Sequence, residues 1–85
     1  MILVELFSKE DCHLCDMAME TLTRIRTDHP FELKVIKIQE GDEHHQQFRE
    51  RIPVVYINGD FAFQYRIPEK EFIRKLKDAL HIAHR

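Results

Sequence analysis

The sequence predicts an α/β domain built on a four-stranded mixed sheet, with elements in the order β-α-β-α-β-β-α. Three observations predict it. The chain opens on an apolar run, Met1 to Phe7, and a helix-period pattern follows at once. Later, Ile52-Pro53-Val54-Val55-Tyr56-Ile57 runs into Asn58-Gly59, a strong two-residue hairpin signal. At 85 residues the chain is read as one domain, 1–85, near the small end of what folds without staples.

Met1 to Phe7 alternates little and is rich in Ile, Leu, Val and Phe, which suits a strand buried on both faces. Asp11 then offers an N-cap, and Leu14, Ala18, Leu22 and Ile25 recur at helical spacing, with Met17 and Thr21 beside them. Thr27-Asp28-His29-Pro30 ends this helix, because Pro30 disfavours helical geometry at His29. Phe31 to Ile38 alternates apolar and charged residues and reads as a second strand. Gly41 to Arg51 is polar, with Phe48 as its chief apolar position, and reads as a short, mostly solvated helix. After the hairpin turn, Phe61 to Arg66 returns as the antiparallel partner of Ile52 to Ile57. Pro68 suits the first turn of a last helix whose buried stripe is Phe72, Ile73, Leu76, Ala79 and Leu80, with His81 to Arg85 as a frayed end.

Helical crossovers between the first and second strands, and between the second and third, imply parallel pairing at both joins. The hairpin then adds one antiparallel edge strand. The first and last helices are expected on one face of the sheet, and the middle helix on the other.

Charge and hydropathy exclude several partners. Thirteen Lys and Arg against fifteen Asp and Glu leave a formal net charge of −2, which implies neither nucleic acid nor an anionic membrane. No run approaches the ~18 apolar residues a transmembrane helix needs. The opening stretch lacks a basic n-region and carries Glu5, so a strand is expected there rather than a signal peptide, and the expected compartment is the reducing cytoplasm.

The chemistry-bearing stretch is Cys12-His13-Leu14-Cys15, which holds both cysteines. Helical residues at i and i+3 lie about 5–6 Å apart, inside the roughly 4.4–6.8 Å Cα separation a disulfide tolerates. So short a loop removes little chain entropy, which argues against a structural staple. Half of a zinc site is the rival reading. No second Cys-x-x-Cys exists, and His13, His44 and His45 match no familiar finger spacing, so no metal is expected. The pair reads as a reversible dithiol. His44-His45 is expected on a solvated face and His81-x-x-His84 as a polar tail, with Met17 and Met19 as packing or surface residues.

A Cys-x-x-Cys pair in a βαβ context is the thioredoxin-like redox signature, and the chain resembles the glutaredoxin-like proteins, the smallest members of that superfamily. The resemblance covers residues 1 to about 80. The first strand leads straight into the cysteines, without the additional strand and helix that precede this core in thioredoxins. Lys9 stands three residues before Cys12, as is common in glutaredoxins, and Ile52-Pro53 opens the third strand where the superfamily places its cis-proline. The chain departs from the pattern in two places. His13-Leu14 replaces the usual Pro-Tyr type of pair between the cysteines. Tyr65-Arg66-Ile67-Pro68 stands where glutaredoxins carry a Gly-Gly that helps to hold glutathione, which places the chain in a divergent, minimal group.

The resemblance implies a thiol–disulfide oxidoreductase acting on protein or small-molecule disulfides. Cys12 would attack, and Cys15, deeper in the helix, would resolve the mixed disulfide. It implies substrate-binding roles for Lys9, Ile52, Pro53 and Arg66, the Ile52 backbone facing the dithiol and Tyr65 and Arg66 replacing contacts of the missing glycines. No tightly bound cofactor is implied. Glutathione or a thioredoxin-reductase-type enzyme would be the electron donor, and the protein would act as a monomer. The alternative from another class is a non-catalytic thioredoxin-like module that binds a partner protein or an iron–sulfur cluster. At the helix N-terminus the Cys12 thiolate would be favoured by free N–H groups, by the helix dipole and by Lys9. Glu10, Asp11 and Asp16 oppose this, so a modest lowering of its pKa is expected.

Overall fold

The computed structural model describes residues 1–39, 41 and 51–83. Its elements are strand β1 (Leu3–Ser8), helix α1 (His13–Asp28), strands β2 (Glu32–Lys37), β3 (Val54–Ile57) and β4 (Asp60–Gln64), and helix α2 (Glu69–Ala83). The solvated helix expected over 41–51, with Phe48 and His44-His45, lies outside the described residues apart from Gly41 and Arg51. So do His84 and Arg85 of the expected polar tail.

The sheet has four strands and is mixed, as expected, but its order is β2-β1-β3-β4. β1 and β2 are parallel, Val4 opposite Leu33 and Leu6 opposite Val35. β3 is not parallel to β2 and does not pair with it; it lies antiparallel on the other side of β1, Leu6 opposite Val55. This corrects the second parallel join. A parallel crossover must carry the chain back along the sheet under a helix with an apolar stripe, and residues 41–51 offer chiefly Phe48. Instead β2 ends at Lys37 opposite Ser8, and β3 begins at Val54 opposite Phe7. The chain therefore leaves the sheet after Lys37 and re-enters it at Val54 at the same end. That is also the end where β1 hands over to the cysteines.

β1 is thus internal, paired on both sides, while β2 is an edge strand. The edge position explains why β2 alternates yet buries little, with Val35 still 40% exposed. Val4 and Leu6 of β1 and Val55 and Ile57 of β3 form one core with Ala18, Leu22 and Ile25 of α1 and Phe72 and Leu76 of α2, so both helices share one face. Phe31, Phe63 and Phe72 meet as tilted and edge-on rings within it, with centroids 5.7 and 6.0 Å apart. Leu80, expected in the buried stripe, is exposed instead, and His81 continues α2 rather than fraying. None of the described helices is long and apolar enough to cross a membrane.

The hairpin follows from its two turn residues. Asn58 and Gly59 both have positive φ, 50° and 87°, as a type I′ turn requires. Asn58 also accepts a hydrogen bond from the Leu3 N–H on its side-chain oxygen (2.9 Å), and donates its own N–H to the Leu3 carbonyl (2.8 Å). Returning, β4 carries a bulge: Val55 faces Phe63 but Tyr56 faces Phe61. The extra residue puts Ala62 and Phe63 together in the helix-side core and leaves Phe61 exposed against Tyr56 on the other face. Lys75 of α2 donates to the Ala62 carbonyl (3.2 Å) and lies over the Phe63 ring.

Candidate active site

The cysteines occupy the turn from β1 to α1. Asp11 does not cap the helix. It takes a left-handed conformation, φ 53°, which short polar side chains tolerate, and this bends the chain so that Cys12 becomes the N-cap. Cys12 is extended (φ −116°, ψ 104°), its carbonyl accepts the Asp16 N–H at 3.1 Å, and its Sγ accepts the Cys15 N–H at 3.2 Å. Sulfur thus takes the place that a serine or aspartate oxygen usually fills, satisfying an otherwise orphan amide of the first turn.

Cys12 and Cys15 are joined as a disulfide across a Cα separation of 5.2 Å. Cys15 is buried, 4% exposed, while Cys12 is only partly covered. Cys15 occupies the first place of the α1 core stripe, followed by Ala18, Leu22 and Ile25. Leu14, expected to head that stripe, is rotated off it. Cys15 also packs with Phe7, Ile38, Ile52 and Val54 in a second apolar cluster, against which Cys12 rests.

The other residues singled out in the sequence fall on different sides of the disulfide. Ile52 belongs to the Cys15 cluster, and Pro53, joined to it by a cis bond, is almost fully buried. Neither offers an accessible side chain, and the Pro53 carbonyl already accepts the Tyr65 N–H at 2.8 Å. Lys9 is exposed and lines a cavity of about 490 Å³ beside Cys15, together with Glu10, Asp11, Asp16 and Lys37. Glu10, Asp11 and Asp16, the three carboxylates expected near Cys12, all line this cavity. Arg66 lies in a different groove, of about 430 Å³, that also takes in Leu14, Met17, Thr21 and Tyr65. The structure thus puts Ile52, followed by Pro53, against Cys15, Lys9 in a cavity that Cys15 also lines, and Arg66 in a separate groove that neither cysteine lines.

Sequence reasoning missed this second recess. Its signal was present: Leu14, Met17, Ala18 and Thr21 form an i, i+3, i+4, i+7 set, a second stripe beside the core stripe. Tyr65 and Arg66, which stand in place of the family's Gly-Gly, both line it, but the left-handed backbone of Tyr65 (φ 67°) is not expected of an aromatic residue.

Residues 3–77 match the model of the glutaredoxin-like domain family (DUF836). The chain belongs to this family. Among solved structures, this glutaredoxin-like domain is similar to a protein of X. campestris determined by X-ray crystallography (TM-score 0.74, 21% identity, covering 88% of this chain and 96% of that one). It is equally similar to a protein of Nitrosomonas europaea determined by NMR (TM-score 0.74, 24% identity, covering 87% and 89%). Thioredoxin 1 of Thermosipho africanus aligns over 98% of this chain and 99% of its own length (TM-score 0.69, 18% identity). At these identities the likeness is one of fold. It gives the glutaredoxin-like domain a thioredoxin fold, with its cysteine pair at the strand-to-helix turn.

Proposed function

We propose that this glutaredoxin-like domain is a thiol–disulfide oxidoreductase in which Cys12 is the nucleophile and Cys15 the resolving thiol. The observation that carries the reading is the N-cap position of Cys12, with the Cys15 amide directed at its sulfur and Cys15 buried behind it. On reduction, that amide and the helix end favour a thiolate at Cys12. Cys15, buried in the apolar cluster behind it, is the resolving thiol.

In the first step the Cys12 thiolate attacks a substrate disulfide. A Cys12–substrate bond forms, the substrate S–S bond breaks, and one substrate sulfur leaves as thiolate to take a proton from water. Cys15 then loses its proton and attacks the Cys12 sulfur, releasing the second substrate thiolate and closing the Cys12–Cys15 disulfide. The substrate gains two electrons and the dithiol loses two. A thiol donor restores the dithiol, either glutathione or the dithiol of a reductase enzyme. Lys9 and Arg66 supply cations on the two flanks, and Ile52 contributes through its backbone, since its side chain is buried. The reading places the protein in the cytoplasm, where such donors keep thiols reduced.

Single-turnover mixing of the pre-reduced protein with a small disulfide tests this without any donor. Thiol release is expected from the native protein and none from Cys12→Ser, while Cys15→Ser accumulates a mixed disulfide visible by mass. Release from Cys12→Ser at the native rate would sink the assignment. The Cys12–Cys15 potential tests direction: a value near about −270 mV marks a reductase, and one near about −120 mV an oxidant.

A further inference from the structure

We infer that Ser8 helps to set the redox balance of the cysteine pair: its buried hydroxyl, unpaired while the disulfide is closed, takes the sulfur of Cys15 as its hydrogen-bond partner once the disulfide opens. This rests on the disulfide-exchange reading above and deepens it, by naming a residue that acts on the resolving sulfur.

Ser8 is the last residue of β1. Val4 and Leu6 of this strand belong to the core under the helices, and strand alternation puts Ser8 in the same row. Packing alone would favour a third aliphatic residue there. Among the described residues Ser8 is instead the one buried polar side chain, 5% exposed. Its backbone is held in the sheet, opposite Lys37 of β2 and with its carbonyl accepting the Ile38 N–H at 2.8 Å. Its hydroxyl makes no hydrogen bond to any described residue. A buried hydroxyl without a protein partner is destabilising, and a redox or catalytic role is one of the few reasons for a native chain to keep one.

The surroundings of the hydroxyl supply the partner. Ser8 and Cys15 both line the cavity of about 490 Å³ beside α1, where Leu6 and Met19 add apolar wall. Cys15 is as deeply buried as Ser8, so solvent competes little for either group. In the disulfide the Cys15 sulfur carries no proton and no charge, and it is a weak acceptor. Opening the bond changes this: a thiol donor supplies two electrons, Cys12 is left as thiolate, and Cys15 takes one proton from water. The cavity leaves room for Cys15 to turn toward Ser8, or for one water to bridge the two. The Cys15 S–H then donates to the Ser8 oxygen. When the proton leaves again for the resolving attack, the hydroxyl rotates and donates to the thiolate, a charge-assisted bond. One hydroxyl thus serves both protonation states of Cys15. Cys12 has no share in it, because its sulfur accepts the Cys15 N–H and it does not line this cavity. The bond exists only in the dithiol, so it stabilises that form against the disulfide.

The test equilibrates the protein in mixtures of dithiothreitol and its cyclic disulfide, and reads the fraction of Cys12–Cys15 dithiol by alkylation and mass. Ser8→Thr and Ser8→Val are the decisive pair, because they share a shape and differ in the hydroxyl. Ser8→Thr is expected to keep the native equilibrium. Ser8→Val and Ser8→Ala are expected to favour the disulfide by about fivefold, the worth of a single hydrogen bond, which moves the potential by about 20 mV to the negative side. Thermal unfolding in each redox state gives a readout that a packing role would not divide. Ser8→Ala is expected to leave the oxidised protein equally stable or more so, since an unpaired buried group is gone, and to lower the Tm of the reduced protein. Equal potentials for Ser8→Thr and Ser8→Val overturn the inference, as do equal losses of stability in the two redox states of Ser8→Ala. A native dithiol that fails to reduce hydroxyethyl disulfide overturns the oxidoreductase reading itself, whatever the Ser8 equilibria show, which separates the two failures.

Discussion

Asn58 holds the end of the sheet remote from the cysteines by two means that substitution can separate. Its left-handed backbone (φ 50°) makes the hairpin turn, and its side-chain oxygen accepts the Leu3 N–H at 2.9 Å. Alanine loses both. A left-handed L-residue without a short polar side chain costs about 1 kcal/mol more than asparagine, and an exposed backbone-to-side-chain hydrogen bond contributes about 0.5–1 kcal/mol. Asn58→Ala should therefore destabilise by about 2 kcal/mol, a fall in Tm of roughly 10 °C for a chain of this length. Glycine keeps the turn and loses the hydrogen bond. Counting its greater freedom in the unfolded chain, Asn58→Gly should cost about 1 kcal/mol, or roughly 5 °C. Urea unfolding of the oxidised proteins measures both. Equal losses for the two variants would show that backbone conformation is not what Asn58 supplies, and losses under about 0.5 kcal/mol would remove the hydrogen bond from the account. Neither change should alter the rate of disulfide exchange, because the hairpin turn and the cysteines lie at opposite ends of β1.

Three further outcomes are expected. Iodoacetamide alkylation of reduced Cys15→Ser, followed against pH, should give a Cys12 pKa below the free-cysteine value of about 8.5, though not as low as about 4; a value at or above that of free cysteine contradicts the N-cap argument. Phe72→Ala empties a fully buried site that holds Phe31 and Phe63 together. It should cost about 3–5 kcal/mol by urea titration, much of what a domain of this size has. Arg66→Ala should slow reaction with a glutathione mixed disulfide by up to about fivefold at low ionic strength, since exposed ion pairs contribute at most about 1 kcal/mol. High salt should erase that difference, and a deficit that survives it would mean that Arg66 acts by shape rather than charge.

The elements that bury a continuous apolar stripe were legible in the sequence. β1, β3 and the core of α1 follow from local pattern, and His29-Pro30 stops α1 where the proline argument places it: His29 leaves helical geometry at φ −131°, ψ 82°, and its N–H closes the helix on Ile25. The cysteine pair was legible because its spacing and its strand-to-helix setting are both local. Strand order was not. Whether β3 sits beside β2 or across β1 depends on which strand end the chain must reach, and local pattern does not encode that. The capping residue was misassigned because Asp11 is the better cap by side-chain type, while Cys12 is the residue whose sulfur reaches the Cys15 amide. Leu14 and Leu80 failed for a shared reason: a helical stripe in sequence is wider than the strip of neighbour it packs on, and residues at its margin fall outside. The left-handed backbone of Tyr65 was not legible, because it is held by the tertiary hydrogen bond to Pro53 and contradicts the residue's own intrinsic preference.

The bulge in β4 bears on how the molecule behaves at high concentration. An edge strand with free amides and carbonyls is a template on which a second chain can add. In β4 the extra residue interrupts the regular row, and the Ala62 carbonyl that it displaces is taken by the Lys75 ammonium. A neighbouring strand would have to expel a lysine held by both a carbonyl and the Phe63 ring before it could register with this edge. The same contact that anchors α2 to the sheet thereby discourages edge-to-edge assembly on that side of a small domain.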